Sequence, residues 1–354
     1  MKPRLPSFRV NLWGGILALL VMAGVYAYWV GVGRGVFSGT SLFPWDLTFG
    51  LAVLCGSALS AGGFLVAATI RILNLDNYQP IARVCLAMGF VGYVVACLGF
   101  LTTGRAFLTP ETIGILLLFG LVPLAEFAPE LLARIGRSDR LRWLKSVRLP
   151  LLLLAVVFSL RQQLSLADGL IRDTRMSPLW ATPQLAVQFL ISAACAAVAA
   201  VLFASWHTKN AFAKGLSPEH MAGLGKVLAT LLFFYLGLRV VDYLSRSVPL
   251  FVETYELQNL LLGLEMSLFF VPLWLLAPER NRCDPRVLYY CSVTVLAALI
   301  TNRLDTCITS VEATTGVSYL PSWNEYFVAC SVIALGIALF GETLKRLPVF
   351  VACE

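Results

Sequence analysis

The sequence predicts an all-α fold: a polytopic transmembrane helical bundle of about ten up-and-down spans, with both termini in the cytoplasm. Three observations predict it. The chain of 354 residues is 58% hydrophobic and only 13% charged, with a mean hydropathy of +0.80, which is more apolar surface than a soluble core can use. Apolar windows of roughly 18–25 residues recur along the whole length. Basic residues gather in every second loop, as they do on the cytoplasmic side of membrane proteins. That bias accounts for the net charge of +7 and the pI near 9.0, so no nucleic-acid partner is called for.

The first span covers about 10–34. Its basic start resembles a signal peptide, but the apolar run is too long and no small-residue cleavage site follows a short core. It reads as a retained first helix. Further spans follow at about 44–71, 81–103, 111–135, 147–164, 184–206, 221–245, 255–277, 285–303 and 322–344. The fifth is the least regular, with Pro150 near its start and Arg161 near its end. A core bundle at about 44–303 thus lies between the first and last helices of a single integral membrane domain, residues 1–354. Cys55, Cys85, Cys97, Cys195, Cys291 and Cys330 fall inside apolar runs without metal-ligand spacing and read as packing residues. The small-residue string "SALSAGG" (57–63) reads as a surface for close helix packing.

Loop charges assign the sides. Lys2, Arg4 and Arg9, then Arg71 and Arg83, then Arg134 to Lys145, Lys209 to Lys226, Arg280 to Arg286, and Lys345 with Arg346 mark the cytoplasm. The opposite ends of the spans carry polar and ionisable residues. Arg105 and Glu111 flank the turn between spans 3 and 4, and "RQQ" (161–163) closes span 5. Arg239 and Asp242 lie inside span 7, three residues apart, where they can pair on one helix face. "TNRLD" (301–305) closes span 9, and "SWNE" (322–325) opens span 10. Each of these alone reads as an interfacial residue or a snorkelling arginine. Together they form a polar cluster on the non-cytoplasmic side. Glu265 sits about nine residues into span 8, roughly 14 Å along the helix, and an intramembrane carboxylate there is paired, protonated or part of a proton path. Glu126 in span 4 lies nearer the cytoplasmic face.

His207 and His220 are the chain's two histidines, and both fall near the cytoplasmic ends of their spans. They offer no convincing axial pair, so no haem is expected. No Walker loop, dinucleotide fingerprint or H-E-x-x-H motif is present.

Several motifs in order and spacing resemble the NrfD/PsrC superfamily, most closely its HybB-type branch, the integral membrane subunit of periplasmic nickel–iron hydrogenases. They are "FPW" (43–45), "CGSALSAGGF" (55–64), "NYQPIARVCLAMGFVGY" (77–93), "GR" (104–105), "ET" with "AEFAPELL" (111–112, 125–132), "SPLW" (177–180), "LRVVDYL" (238–244), Glu265 with Pro272, "NR" (302–303) and "SYLPSWNE" (318–325). The resemblance implies a haem-free respiratory subunit of the bacterial inner membrane, multi-pass and not catalytic alone. It would exchange electrons between the quinone pool, menaquinone or ubiquinone, and a ferredoxin-like iron–sulfur subunit bound to a periplasmic catalytic subunit. Arg105, Arg239, Asp242, Glu265, Asn302 and Arg303 are then the candidates for quinone binding or proton handling. Glu111, Trp180, Trp323 and Glu325 are the candidates for partner docking. No metal site and no covalently bound cofactor are expected, and quinone is the exchangeable ligand. The chain departs from the family pattern at Ala52 and at Thr102–Thr103, where acidic residues are usual, and at Arg161, where a histidine is usual. These departures keep two other classes in view, a structural anchor without quinone chemistry and an ion or solute transporter.

Overall fold

The computed structural model describes residues 12–34, 43, 45–102, 110–134, 142–212, 215–246 and 256–346. Its elements are α1 (Leu12–Arg34), a π-helical turn (Phe49–Leu54) running into α2 (Cys55–Ile72), α3 (Gln79–Thr102), α4 (Pro110–Arg134), α5 (Arg142–Ile171), α6 (Leu185–Phe212), α7 (Pro218–Arg246), α8 (Glu256–Leu276), a short α9 (Glu279–Arg282), α10 (Pro285–Leu304), a second π-helical turn (Asp305–Thr309), α11 (Ser310–Thr315) and α12 (Trp323–Arg346). Each predicted span has its helix. Among the described residues nine helical stretches are long and apolar enough to cross a bilayer, and Ile113–Ala128 of α4 is a shorter apolar helix. Hydrocarbon offers no partner for a bare N–H or C=O, so an apolar chain of this composition satisfies its backbone within helices. The protein is a polytopic helical membrane bundle.

The most deeply buried layer is α2, α3 and α6, with α5 packed against α2 and α10 against α6. Small residues make that approach possible. A Cβ on Gly62 would stand 2.1 Å from the Ala193 carbonyl oxygen of α6, and one on Gly63 would stand 2.6 Å from that of Cys85 on α3. The string 57–63 is thus where backbones meet, as its composition predicts. The margin of the bundle is different. α1 packs against α12 and leaves Trp13, Leu19, Val25 and Trp29 exposed, as a lipid-facing helix does.

Two spans are longer than the hydropathy windows indicate. Pro150 lies inside α5 rather than at its start, and the helix runs past Arg161–Gln163 to Ile171. Ala167 and Leu170 continue its buried stripe beyond the charge, so "RQQ" does not close the span. Likewise "TNRLD" does not close span 9. The chain passes through the π turn 305–309 into α11 and stops at Gly316, whose φ of 66° and N–H to the Glu312 carbonyl (2.9 Å) form a left-handed cap. Thr306 sustains this polar stretch by donating to the Asn302 carbonyl at 2.6 Å. Cys55, Cys85, Cys97, Cys195 and Cys291 are buried, whereas Cys330 on α12 is exposed.

Candidate functional site

Four helices bring polar or charged side chains to one place. On α8 the buried stripe reads Leu262, Glu265, Phe269 and Leu276, so helical periodicity alone turns Glu265 inward. On α10 the stripe Val295, Ala298, Leu299, Asn302 and Arg303 does the same. Gln188 and Ser192 stand one turn apart on α6, and Arg239, Asp242 and Arg246 follow one another along α7.

At the centre, Arg239 Nη2 donates to Glu265 Oε1 at 2.6 Å, and both side chains are fully shielded from solvent. Asn302 Nδ2 donates to the same oxygen at 2.9 Å, and Trp180 Nε1 faces Glu265 Oε2 at 3.4 Å. Arg303 lies alongside. It donates to Asn302 Oδ1 (2.8 Å), to Ser192 Oγ (3.0 Å) and to the Phe189 carbonyl (3.2 Å), with its guanidinium carbon 3.5 Å from the Phe189 ring centre. A desolvated ion pair survives only when its remaining donors and acceptors are satisfied, and this network does most of that.

Asp242 belongs to a second, peripheral group. It accepts from Thr182 Oγ1 at 2.6 Å and from Arg246 Nη2 at 2.8 Å, while Arg246 also donates to the Pro178 and Ala181 carbonyls. The helix thereby clamps the loop that carries Trp180. Arg239 and Asp242 do not pair directly, contrary to the i, i+3 expectation. Gln188 stands between them, accepting from Arg239 Nη1 at 3.1 Å and reaching Asp242 Oδ2 at 3.5 Å. The α8 carboxylate takes the Arg239 guanidinium, while Asp242 is held by Thr182 and Arg246. Several buried polar atoms here have no partner among the described residues: Tyr235 and Tyr243 Oη, Arg239 and Arg303 Nε, and Asp305 Oδ2.

The other expected residues are distributed as follows. Arg105 lies outside the described residues, as does the side chain of Glu111, whose backbone belongs to the first turn of α4. Trp180 is fully buried against Glu265, so its ring is inside the site rather than on a docking surface. Trp323 is 78% exposed. Glu325 is half-buried, accepts from the Tyr319 hydroxyl and pairs with Ser322 in a box that starts α12. Burial pushes the Tyr319 hydroxyl pKa up, and its bond to Glu325 adds to the rise.

Gln188, Ser192, Thr182 and Arg246 were not among the expected site members, and Asp305 was expected in the polar cluster without a role of its own. The first two were legible as polar residues one turn apart in an apolar span, and Arg246 as the i+4 partner of Asp242. Thr182, on a loop, carried no signal. At the other end of the bundle Glu126 gathers Arg71 (2.6 Å), Arg83 (3.4 Å) and Arg148 (3.8 Å). It ties α2, α3 and α5 to α4.

No protein-family model matches the chain. It is 22% identical over 360 residues to the probable Ni/Fe-hydrogenase 2 b-type cytochrome subunit of Escherichia coli (strain K12), covering 96% of this chain and 92% of that protein. The chain is thus similar, end to end, to a hydrogenase subunit. It is also 24% identical over 336 residues to a protein of Nitratidesulfovibrio vulgaris (strain Hildenborough), covering 86% of this chain and 85% of the relative.

That first relative overturns one expectation. Its name is that of a b-type cytochrome, a haem-binding class, so the expectation of no haem is withdrawn. The fit of a haem to this chain rests on its two imidazoles. His207 is exposed and sits among Phe203 and Tyr289, with Nε2 3.5 Å from the Tyr289 hydroxyl. His220 contacts Ser217 Oγ through Nδ1 at 2.5 Å and meets the Tyr78 ring edge-on. Held by separate neighbours, the two do not fit a bis-imidazole site in this arrangement.

Proposed function

We propose that the chain is the membrane subunit of a hydrogenase-like respiratory complex. In this reading it exchanges electrons between an iron–sulfur partner on the outer face and the quinone pool of a bacterial inner membrane. The observation that carries the reading is the Arg239–Glu265–Asn302–Arg303 cluster, assembled inside an apolar bundle from three helices that each present a single polar stripe. A bundle that only needed to stand in a membrane would not bury two arginines and a carboxylate. The end-to-end likeness to a hydrogenase subunit, and the NrfD/PsrC-like motifs, support the redox class.

Quinone reduction joins two electrons to two protons, so a headgroup needs donors to its carbonyl oxygens and a group that exchanges protons. The shielded pair is closed, and the headgroup engages the cluster at its rim. There Tyr243, whose hydroxyl has no partner among the described residues, lies beside Arg239 and Arg246. Next to it Val240, Val241, Leu244 and Leu264 face outward and offer an isoprenoid tail an apolar path from the bilayer. Trp323 and Glu325, at the same end of the fold, are the docking candidates for the partner. Sidedness follows from the basic loops.

The test is to purify the chain with its partners, identify them by mass spectrometry, and compare electron transfer to a short-chain quinone with transfer to a viologen dye that bypasses the membrane subunit. Arg239→Leu should abolish the quinone-linked rate and leave the dye-linked rate intact. Equal loss of both rates, or retention of both, rejects the reading in favour of a structural anchor.

A further inference from the structure

We infer that Asp305 is the proton-relay residue of this site, connecting the buried cluster to the outer end of the bundle through Thr309 and Glu312. The inference rests on the quinone reading above. Asp305 is 3% exposed. Its Oδ1 accepts from Thr309 Oγ1 at 2.9 Å, and its Oδ2 has no partner. Among the described residues it makes no ion pair, unlike Glu265, Asp242 and Glu126. A carboxylate in a membrane span without a counter-ion marks a proton pathway rather than a structural clasp.

Its position supplies both ends of a path. The charged groups whose fields reach it are those of Glu265 on α8, Arg239 on α7 and Glu312 on its own helical segment. Asp305, Thr309 and Glu312 follow at four and three residues, so they line one face of the segment. Glu312 is half-buried and borders a surface cavity of ≈ 460 Å³ that Gln258, Thr314 and Ser318 also line. Asp305 opens a π-helical turn, a local widening that recurs at functional sites because it redirects a side chain without ending the helix. Close to it, a Cβ on Gly50 of the first π turn would stand 2.9 Å from Cys307 Sγ, so the two π turns interlock.

The balance is simple. A quinone that takes two electrons, one at a time, from an iron–sulfur centre of the partner takes one proton on each carbonyl oxygen. Asp305 gives each in turn, breaking its own O–H bond as a quinol O–H forms. After each transfer Glu312 restores its proton through the Thr309 hydroxyl and is itself reprotonated from the water at the outer end. Quinol oxidation runs the same steps backwards.

The experiment uses the whole complex and a short-chain quinone analogue. Asp305→Asn should lower quinone-linked turnover by about 10²-fold, the usual contribution of a positioned proton donor, while the dye-linked rate and analogue affinity stay unchanged. Asp305→Glu should retain turnover with a shifted pH profile. Thr309→Val should slow turnover, and Thr309→Ser should not. Infrared difference spectra across the pH range should show a carboxyl C=O band that Asp305→Asn removes, a readout independent of turnover. Wild-type turnover and pH profile in Asp305→Asn overturn the relay while leaving the quinone site standing. Absence of analogue binding to the wild-type complex overturns both. An infrared band unaffected by Asp305→Asn overturns the relay alone.

Discussion

Replacing Arg239 by leucine isolates the central ion pair. In the folded protein the guanidinium gives one N–H to Glu265 at 2.6 Å and another to Gln188 at 3.1 Å. Its loss leaves Glu265 with Asn302 and Trp180 as donors and no counter-charge. Breaking one side of a buried pair costs about 3–5 kcal/mol, and the unpaired Gln188 oxygen places this case at the upper end. Glu265→Leu strands Arg239 in the same way. The double variant removes this pair, leaving neutral amide and indole groups unpaired and Arg303 without the cluster's carboxylate, so it should still lose less than the sum. We expect a coupling energy of at least about 2 kcal/mol between Arg239 and Glu265. Unfolding in detergent, followed by the fluorescence of Trp180 and its neighbours, measures all four proteins. Arg239→Lys and Glu265→Gln form a milder second cycle should the leucine variants not fold. The same cycle on Arg239 and Asp242, linked only through Gln188, should give a smaller coupling. Additivity within about 0.5 kcal/mol for Arg239 and Glu265, or stronger coupling to Asp242, would refute the network as described.

Glu126→Gln should destabilise the protein by up to about 3–5 kcal/mol, less whatever its partly exposed arginines recover from water, read as a fall in Tm in detergent. Asp242→Asn should free the 172–184 loop, since Thr182 and Arg246 lose a charged acceptor, and limited proteolysis should cut there first. Asp173, in that loop, has its pKa held below the usual carboxylate range by its hydrogen bonds to Arg175. A depressed folded-state pKa contributes stability above the unfolded value, and that stability is lost as pH falls through the folded value. Because Arg175 is 35% exposed and the pair sits in a surface turn, the contribution is at most about 1 kcal/mol. Acidification through that range should therefore raise loop cleavage in the wild type and leave Asp173→Asn unchanged.

The ten spans were legible because each must bury or expose about 20 apolar residues and the hydropathy window sees that directly. What the window misses is polarity that is satisfied locally. Thr306 and Thr309 bond within their own helix, so the ninth span continues through a stretch that reads as its end. Arg161 lies mid-helix for a related reason: Ala167 and Leu170 still bury beyond it. Within the site, Arg239, Glu265, Asn302 and Arg303 stood out in the sequence because charge is costly in an apolar run. Their partners did not follow from spacing. Arg239 and Asp242 share a helix face, yet Glu265 from a different helix takes the guanidinium. Trp180 looked like a surface aromatic, and only the loop clamped by Arg246 turns it inward. The haem expectation failed differently. The histidine count argues from ligand pairs, whereas the E. coli relative's name carries a cofactor class that this chain's sequence does not display.

Photolabelling of the purified complex with an azido-quinone tests the quinone assignment most directly. The account predicts adducts in the 235–246 segment of α7, in the neighbouring face of α8 or in the 176–184 loop, removed by excess unlabelled quinone and absent in Arg239→Leu. Labelling confined to the Glu126 end of the bundle, or no competable labelling at all, would contradict it.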